Sequence, residues 1–146
     1  MKQLLVLTAM LALIGCDLTD DESIPKIASI TPSNGATLVE KSAPIVVEFT
    51  EPMNTGSCQS RFHLHMDEIT SMEEMTDGLS GNFSWNNGQT VMTFQPQSQL
   101  LGSSMYSICI QEGMMSSNQN CNVMMSGMMG WGNEVNGGII CVFTTK

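Results

Sequence analysis

The sequence predicts an all-β domain, an antiparallel sandwich of about seven short strands. Three observations predict it: short runs of apolar alternation, turn-forming clusters between those runs, and almost no helical periodicity. The runs are, in order, KIASIT (26–31), APIVVEFT (43–50), RFHLHM (61–66), GNFSWN (81–86), QTVMTFQP (89–96), SMYSICI (104–110) and IICVFTT (139–145). Alternation is clearest at Val47 and Phe49 and at Tyr106, Ile108 and Ile110, where every second side chain is large and apolar. Pro32-Ser33-Asn34-Gly35 ends the first run and Glu51-Pro52 the second. Asn86-Asn87-Gly88 separates the fourth run from the fifth, and Leu101-Gly102 introduces the sixth.

Residues 1–15 fall outside this pattern. Lys2 precedes an apolar stretch at 4–14 that is too short to span a bilayer and reads as an export signal. Its end, Leu13-Ile14-Gly15-Cys16, resembles a bacterial lipobox. That resemblance implies cleavage before Cys16, acylation of its sulfur and a membrane held through the lipid anchor. Asp17 resembles the residue that retains some lipoproteins at the inner membrane, so the expected location is the envelope, on either membrane or at the surface. Residues 16–25 are acidic with little to bury and read as a tether.

From Cys16 onward four basic residues face 14 acidic ones, a formal charge of −10. That excludes nucleic acid and anionic lipid as partners and favours cations. Beyond Cys16 the chain has Cys58, Cys109, Cys121 and Cys141. An even number in an exported domain predicts two disulfides, with three connectivities open.

ITPSNGATLVEKSAPIVVEFTEPMN, with Pro32, Asn34, Gly35 and then Phe49-Thr50-Glu51-Pro52-Met53, is similar to the opening of bacterial Ig-like domains of the S-layer type. NNGQTVMTFQPQSQLLGSSMYSICI and the closing VFTTK resemble that family's later strands. The resemblance covers residues 26–111 and 139–146 and implies an exported Ig-like sandwich over 26–146, with no enzymatic activity. Within such a sandwich it favours the pairs Cys58–Cys109 and Cys121–Cys141, with Cys58 opening the third strand. Residues 112–138 depart from the family as a long insert before the last strand.

The insert holds six methionines, six glycines and five asparagines in 27 residues. With only Val123 and Val135 β-branched, no further strand is expected in it. Met124 with Met128 and Met125 with Met129 are spaced for one short helical turn. Thioether sulfur is a soft donor that selects Cu(I), and Ag(I) by the same softness. The candidate ligands are Met114, Met115, Met124, Met125, Met128 and Met129, with Met53 expected at the same end of the sandwich. His63 and His65 share one strand face and form a second candidate metal pair, followed by Met66, Met72 and Met75. The competing readings are equally concrete: methionines that plug an irregular core end, sacrificial oxidation, a surface for an envelope protein partner, and histidines that merely face solvent.

An enzyme is not expected. No HExxH, GxSxG or glycine-rich phosphate loop occurs, and two histidines on one strand define no nucleophile–base pair. Asp77-Gly78 is a turn, without the ligand spacing of a calcium loop. Two function classes remain: a soft-metal binder, or a structural or adhesive module that docks a partner.

Overall fold

A computed structural model describes residues 25–75, 77–117, 133–135 and 137–146. The predicted signal, most of the tether, Cys121, Trp131 and Met124, Met125, Met128 and Met129 lie outside the described residues. The strands are β1 (Ile27–Thr31), β2 (Ala36–Val39), β3 (Ile45–Phe49), β4 (Phe62–Met66), β5 (Gly81–Trp85), β6 (Val91–Pro96), β7 (Met105–Gln111), β8 (Asn133–Val135) and β9 (Gly138–Thr145). One five-residue helix, α1 (Thr55–Gln59), and a 3-10 turn at Met72–Glu74 complete them.

The predicted sandwich is present. One sheet has the order β1-β3-β6-β5 and the other β2-β9-β7-β4, with β8 added against β9. β2 runs parallel to β9, and the remaining pairs are antiparallel. The alternation read from sequence is the one observed: Val47, Leu64, Met92, Ile108 and Ile110 are fully buried between the sheets. Phe62 of β4 bridges the layers, 5.1 Å from Phe94 and edge-on to Phe83 at 5.7 Å, in the geometries aromatic rings favour. At the corner before β7, the Leu101 N–H donates to the Tyr106 hydroxyl at 2.8 Å, as in the tyrosine corner of immunoglobulin sandwiches.

Two strands were not expected. β2 follows the Pro32–Gly35 turn because Gly35 N–H donates to Val142 O at 2.7 Å and Asn34 Oδ1 accepts from Val142 N–H at 2.9 Å. Gly35 sits at φ +79, open to glycine and strained for other residues. β8 corrects the expectation that the insert holds no strand: it folds back on β9, pairing Val135 with Gly138. There the sheet partner, rather than β-branched composition, sets the conformation. Cys58 also differs, lying in α1 instead of opening a strand. Asn54 caps that helix by accepting from Ser57 N–H at 2.9 Å.

Candidate functional site

Two regions gather the residues singled out by sequence. The first is the end of the sandwich where the insert leaves. Lys26 is bonded to Thr50, with Thr50 N–H donating to Lys26 O at 2.9 Å and Lys26 N–H to Thr50 Oγ1 at 2.9 Å. Three residues on, Met53 bridges Ser116, Asn54 N–H donates to Met115 O and Ser117 N–H to Pro52 O, each at 2.9 Å. Lys26 and the described start of the insert therefore lie at the same end of the sandwich. Met53 does share this end with the insert, as expected, but Met53 and Met114 are both fully buried beside Cys58 in the core. Met115 is half-buried, its N–H donating to Ser57 Oγ at 3.0 Å. Of the six candidate thioethers in the insert, Met114 is thus a filler of the sandwich end.

The expected Cys58–Cys109 bridge does not form: both residues are buried thiols. The physical reason is placement. Cys58 packs into the core, whereas Cys109, between the inward Ile108 and Ile110, turns to the opposite face of its sheet. Burial pushes the Cys58 thiol up to about 12 against the opposing pull of Arg61, and pushes Cys109 to about 12 as well. Cys141 faces the core, also raised to about 12 by burial and then by nearby Cys109. Thiols so protonated are poor nucleophiles.

The second region is the outer face of the β9-β7-β4 sheet. His63 stands opposite Cys109 and His65 opposite Ser107, with Ile140 next to Cys109 on β9. His63 and His65 share this face as predicted, their rings 6.1 Å apart. The face is not open to solvent, because residues 67–75 and 77–80 cross it as a strap. Ser107 Oγ donates to Asp67 O at 2.8 Å and accepts from Ile69 N–H at 2.9 Å. Met72 presses on Gly137 and Gly138, and Leu79 N–H returns to Leu64 O at 2.7 Å. His65 is left 5% exposed, with Nε2 lacking any hydrogen-bond partner. Among the described residues, no group of three or more His, Cys, Asp or Glu side chains is arranged to hold a metal ion.

Burial, and secondarily the neighbouring His63, lowers the pKa of His65 below 6.5. The folded state therefore favours neutral His65, and the unfolded chain takes up its proton first as pH falls. Stability is present in full above about pH 6.5 and is lost as pH drops through the depressed value. Glu74, tied to Thr70 by three hydrogen bonds, titrates below 4.5 and stays out of this window. Urea midpoints of the wild type should fall between pH 7.5 and pH 5, and His65→Leu should flatten that slope. An equal slope in both proteins would assign the effect elsewhere.

The family model of the bacterial Ig-like domain matches residues 21–145. The chain belongs to that family. This Ig-like domain also resembles solved structures. It is 18% identical to an L,D-transpeptidase from Mycobacterium smegmatis, with a TM-score of 0.51, covering 84% of this chain and 40% of that one. L,D-transpeptidase 1 from Mycobacterium tuberculosis is 25% identical with a TM-score of 0.45, covering 60% and 36%. The S-layer protein SbsC is 13% identical with a TM-score of 0.49, covering 85% and 14%. The Ig-like domain thus spans well under half of each of these chains, and the first likeness shows the fold alone. No curated protein matches. The family suggests an extracellular or envelope protein.

Sequence reasoning missed Ser107 and the strap's Ile69 in this second region, and singled out Cys109 only as a disulfide partner and Met72 only as a thioether following the histidine pair. Their signal was the alternation of β7, which puts Ser107 and Cys109 on the outward face where a charged or exposed residue is the norm.

Proposed function

We propose that this protein is a non-enzymatic Ig-like module of the cell envelope, held to a membrane through an acylated Cys16 and docking an envelope protein with its insert-bearing end. The observation that carries this reading is the burial of Met53 and Met114: methionines at that end complete the core. The buried, protonated thiols and the strapped His65 are in keeping with a module that performs no chemistry. Detergent partitioning tests the anchor, with the wild type expected in the detergent phase and Cys16→Ala in the aqueous phase. Wild type recovered from the aqueous phase with Cys16 unmodified would defeat it.

A second reading keeps the insert as a soft-metal site for Cu(I) or Ag(I), favoured by Met124, Met125, Met128 and Met129 together with the half-buried Met115. Anaerobic titration with Cu(I), read by mass, separates the two. The docking reading expects no binding tighter than micromolar, and no change when those four methionines become leucine. Tight binding lost in that variant, with an unaltered melting point, would establish the metal site instead. It should also persist at mildly acidic pH, where an imidazole site weakens.

A further inference from the structure

The edges of the two sheets are not equally protected. β1 carries a bulge between Ile27 and Ser29 and lies between Pro25 and Pro32. The edge of β4 is closed by the strap, through Leu79 N–H on Leu64 O. β2 is irregular in register and β8 is only three residues long. Such features keep sheet edges from pairing with other chains. β5 has none of them. Among the described residues it pairs with β6 alone, in unbroken register from Gly81–Pro96 to Trp85–Met92.

The ladder itself shows what β5 leaves open. Ser80 O accepts from Gln97 N–H and Asn86 N–H donates to Val91 O, so even-numbered residues bond to β6. The N–H and C=O groups of Gly81, Phe83 and Trp85 consequently point outward, with no partner among the described residues. Asn82 and Ser84, on the exposed face, are polar and uncharged.

We infer that β5 is a self-association edge, pairing antiparallel with β5 of a second copy of this chain. Two observations select a second copy as occupant. The open residues are symmetric about Phe83: Phe83 meets Phe83 of the other copy and Gly81 meets Trp85, each pair exchanging both of its hydrogen bonds. Charge is the other. The chain carries −9, yet residues 78–111 contain no Asp, Glu, Lys or Arg, so copies meet here with the least repulsion. Close by, Met66, Leu79, Leu100, Leu101 and Tyr106 line an uncharged cleft, leaving Met66, Leu79 and Leu101 exposed. One five-residue strand pair is a small contact beside the about 1,200–2,000 Å² of stable complexes, so the dimer is reversible and concentration-dependent.

Full-length protein in detergent tests this. Sedimentation over a concentration series should show a monomer–dimer equilibrium, and Ser84→Lys, which charges the edge, should remove the dimer while leaving the melting point unchanged. In the paired edge Asn82 lies across from Ser84 of the other copy, a spacing within disulfide reach. Mixing Asn82→Cys protein with Ser84→Cys protein under mild oxidation should therefore enrich the mixed dimer severalfold over either homodimer. A monomer at every concentration overturns the inference, as does dimerisation undisturbed by Ser84→Lys. Cross-links with no preference for the mixed pair, or a β5 edge that pairs only with another protein's strand, overturn it equally.

Discussion

Ile108→Ala should lower the unfolding free energy by about 2–5 kcal/mol, the cost of truncating a large buried aliphatic and leaving a cavity. Ile108 is fully buried at the middle of β7, in register with Leu64 on one side and Cys141 on the other. Relaxation is limited there because both flanking strands are hydrogen-bonded to β7. Against a typical domain stability of about 5–15 kcal/mol, this is a large fraction. Urea denaturation at pH 7.5 reads it as a lower midpoint with an unchanged m-value. A loss below about 1 kcal/mol would mean that the two sheets are packed less tightly around Ile108 than the burial indicates.

Gly138→Ala should be comparably harmful for a different reason. A Cβ at Gly138 would lie 2.1 Å from the Ile110 carbonyl oxygen and 2.6 Å from Met72 Cε. The methionine can swing aside; the carbonyl belongs to β7 and cannot retreat without spreading β7 from β9. Overpacking of this kind typically costs about 1–3 kcal/mol, and more when backbone must move. The substitution also displaces the strap, so amide exchange at Ile69 and Leu79 should quicken beyond the change in global stability. Gly56→Ala is the control: its Cβ would meet only Asn54 Oδ1, at 3.7 Å, within a helix that favours alanine. If Gly138→Ala were as mild as Gly56→Ala, the close approach of β9 to β7 would be wrong.

Much of the sandwich was legible because seven strands announce themselves locally. Val47, Phe49, Tyr106, Ile108 and Ile110 alternate as buried strands must, and the Asn86-Asn87-Gly88 turn closes a hairpin through Asn86 Oδ1, which accepts from Thr90 N–H and Val91 N–H. β2 was not legible: Ala36–Val39 has no buried alternation, and it is a strand because Asn34 and Gly35 hold it beside β9. α1 left one readable trace, the Asn54 cap, but too little helical length to register as a pattern. At the candidate sites the period-2 rule put His63 and His65 on one face correctly, yet could not say whether that face was covered. The strap's Glu73 and Glu74 are exposed, as a solvated loop should be, while Ile69 is half-buried and bonds Ser107 through its N–H and Met72 packs against Gly137 and Gly138. That division between outer and inner side has no fixed period in an irregular segment, so burial of His65 depended on the tertiary fold. Met114 was hidden in the same way, by a bridge between Met53 and Ser116 that joins residues far apart in sequence.

The placing of Lys26 and the start of the insert at one end of the sandwich gives the proposed β5 pair a polarity. Trp85 lies at the end of β5 near the Asn86–Gln89 hairpin, whose Gln89 O accepts from Met53 N–H, and Gly81 lies at the far end. Antiparallel pairing of β5 would set Trp85 of one copy across from Gly81 of the other, so the two Lys26 residues would lie at opposite ends of the pair. From Cys16 to Pro25 the chain reaches at most about 30 Å when fully extended. Two acylated copies joined through β5 would thus stand head to toe. They would link a pair of facing bilayers, or two envelope layers, more readily than sit abreast in one leaflet.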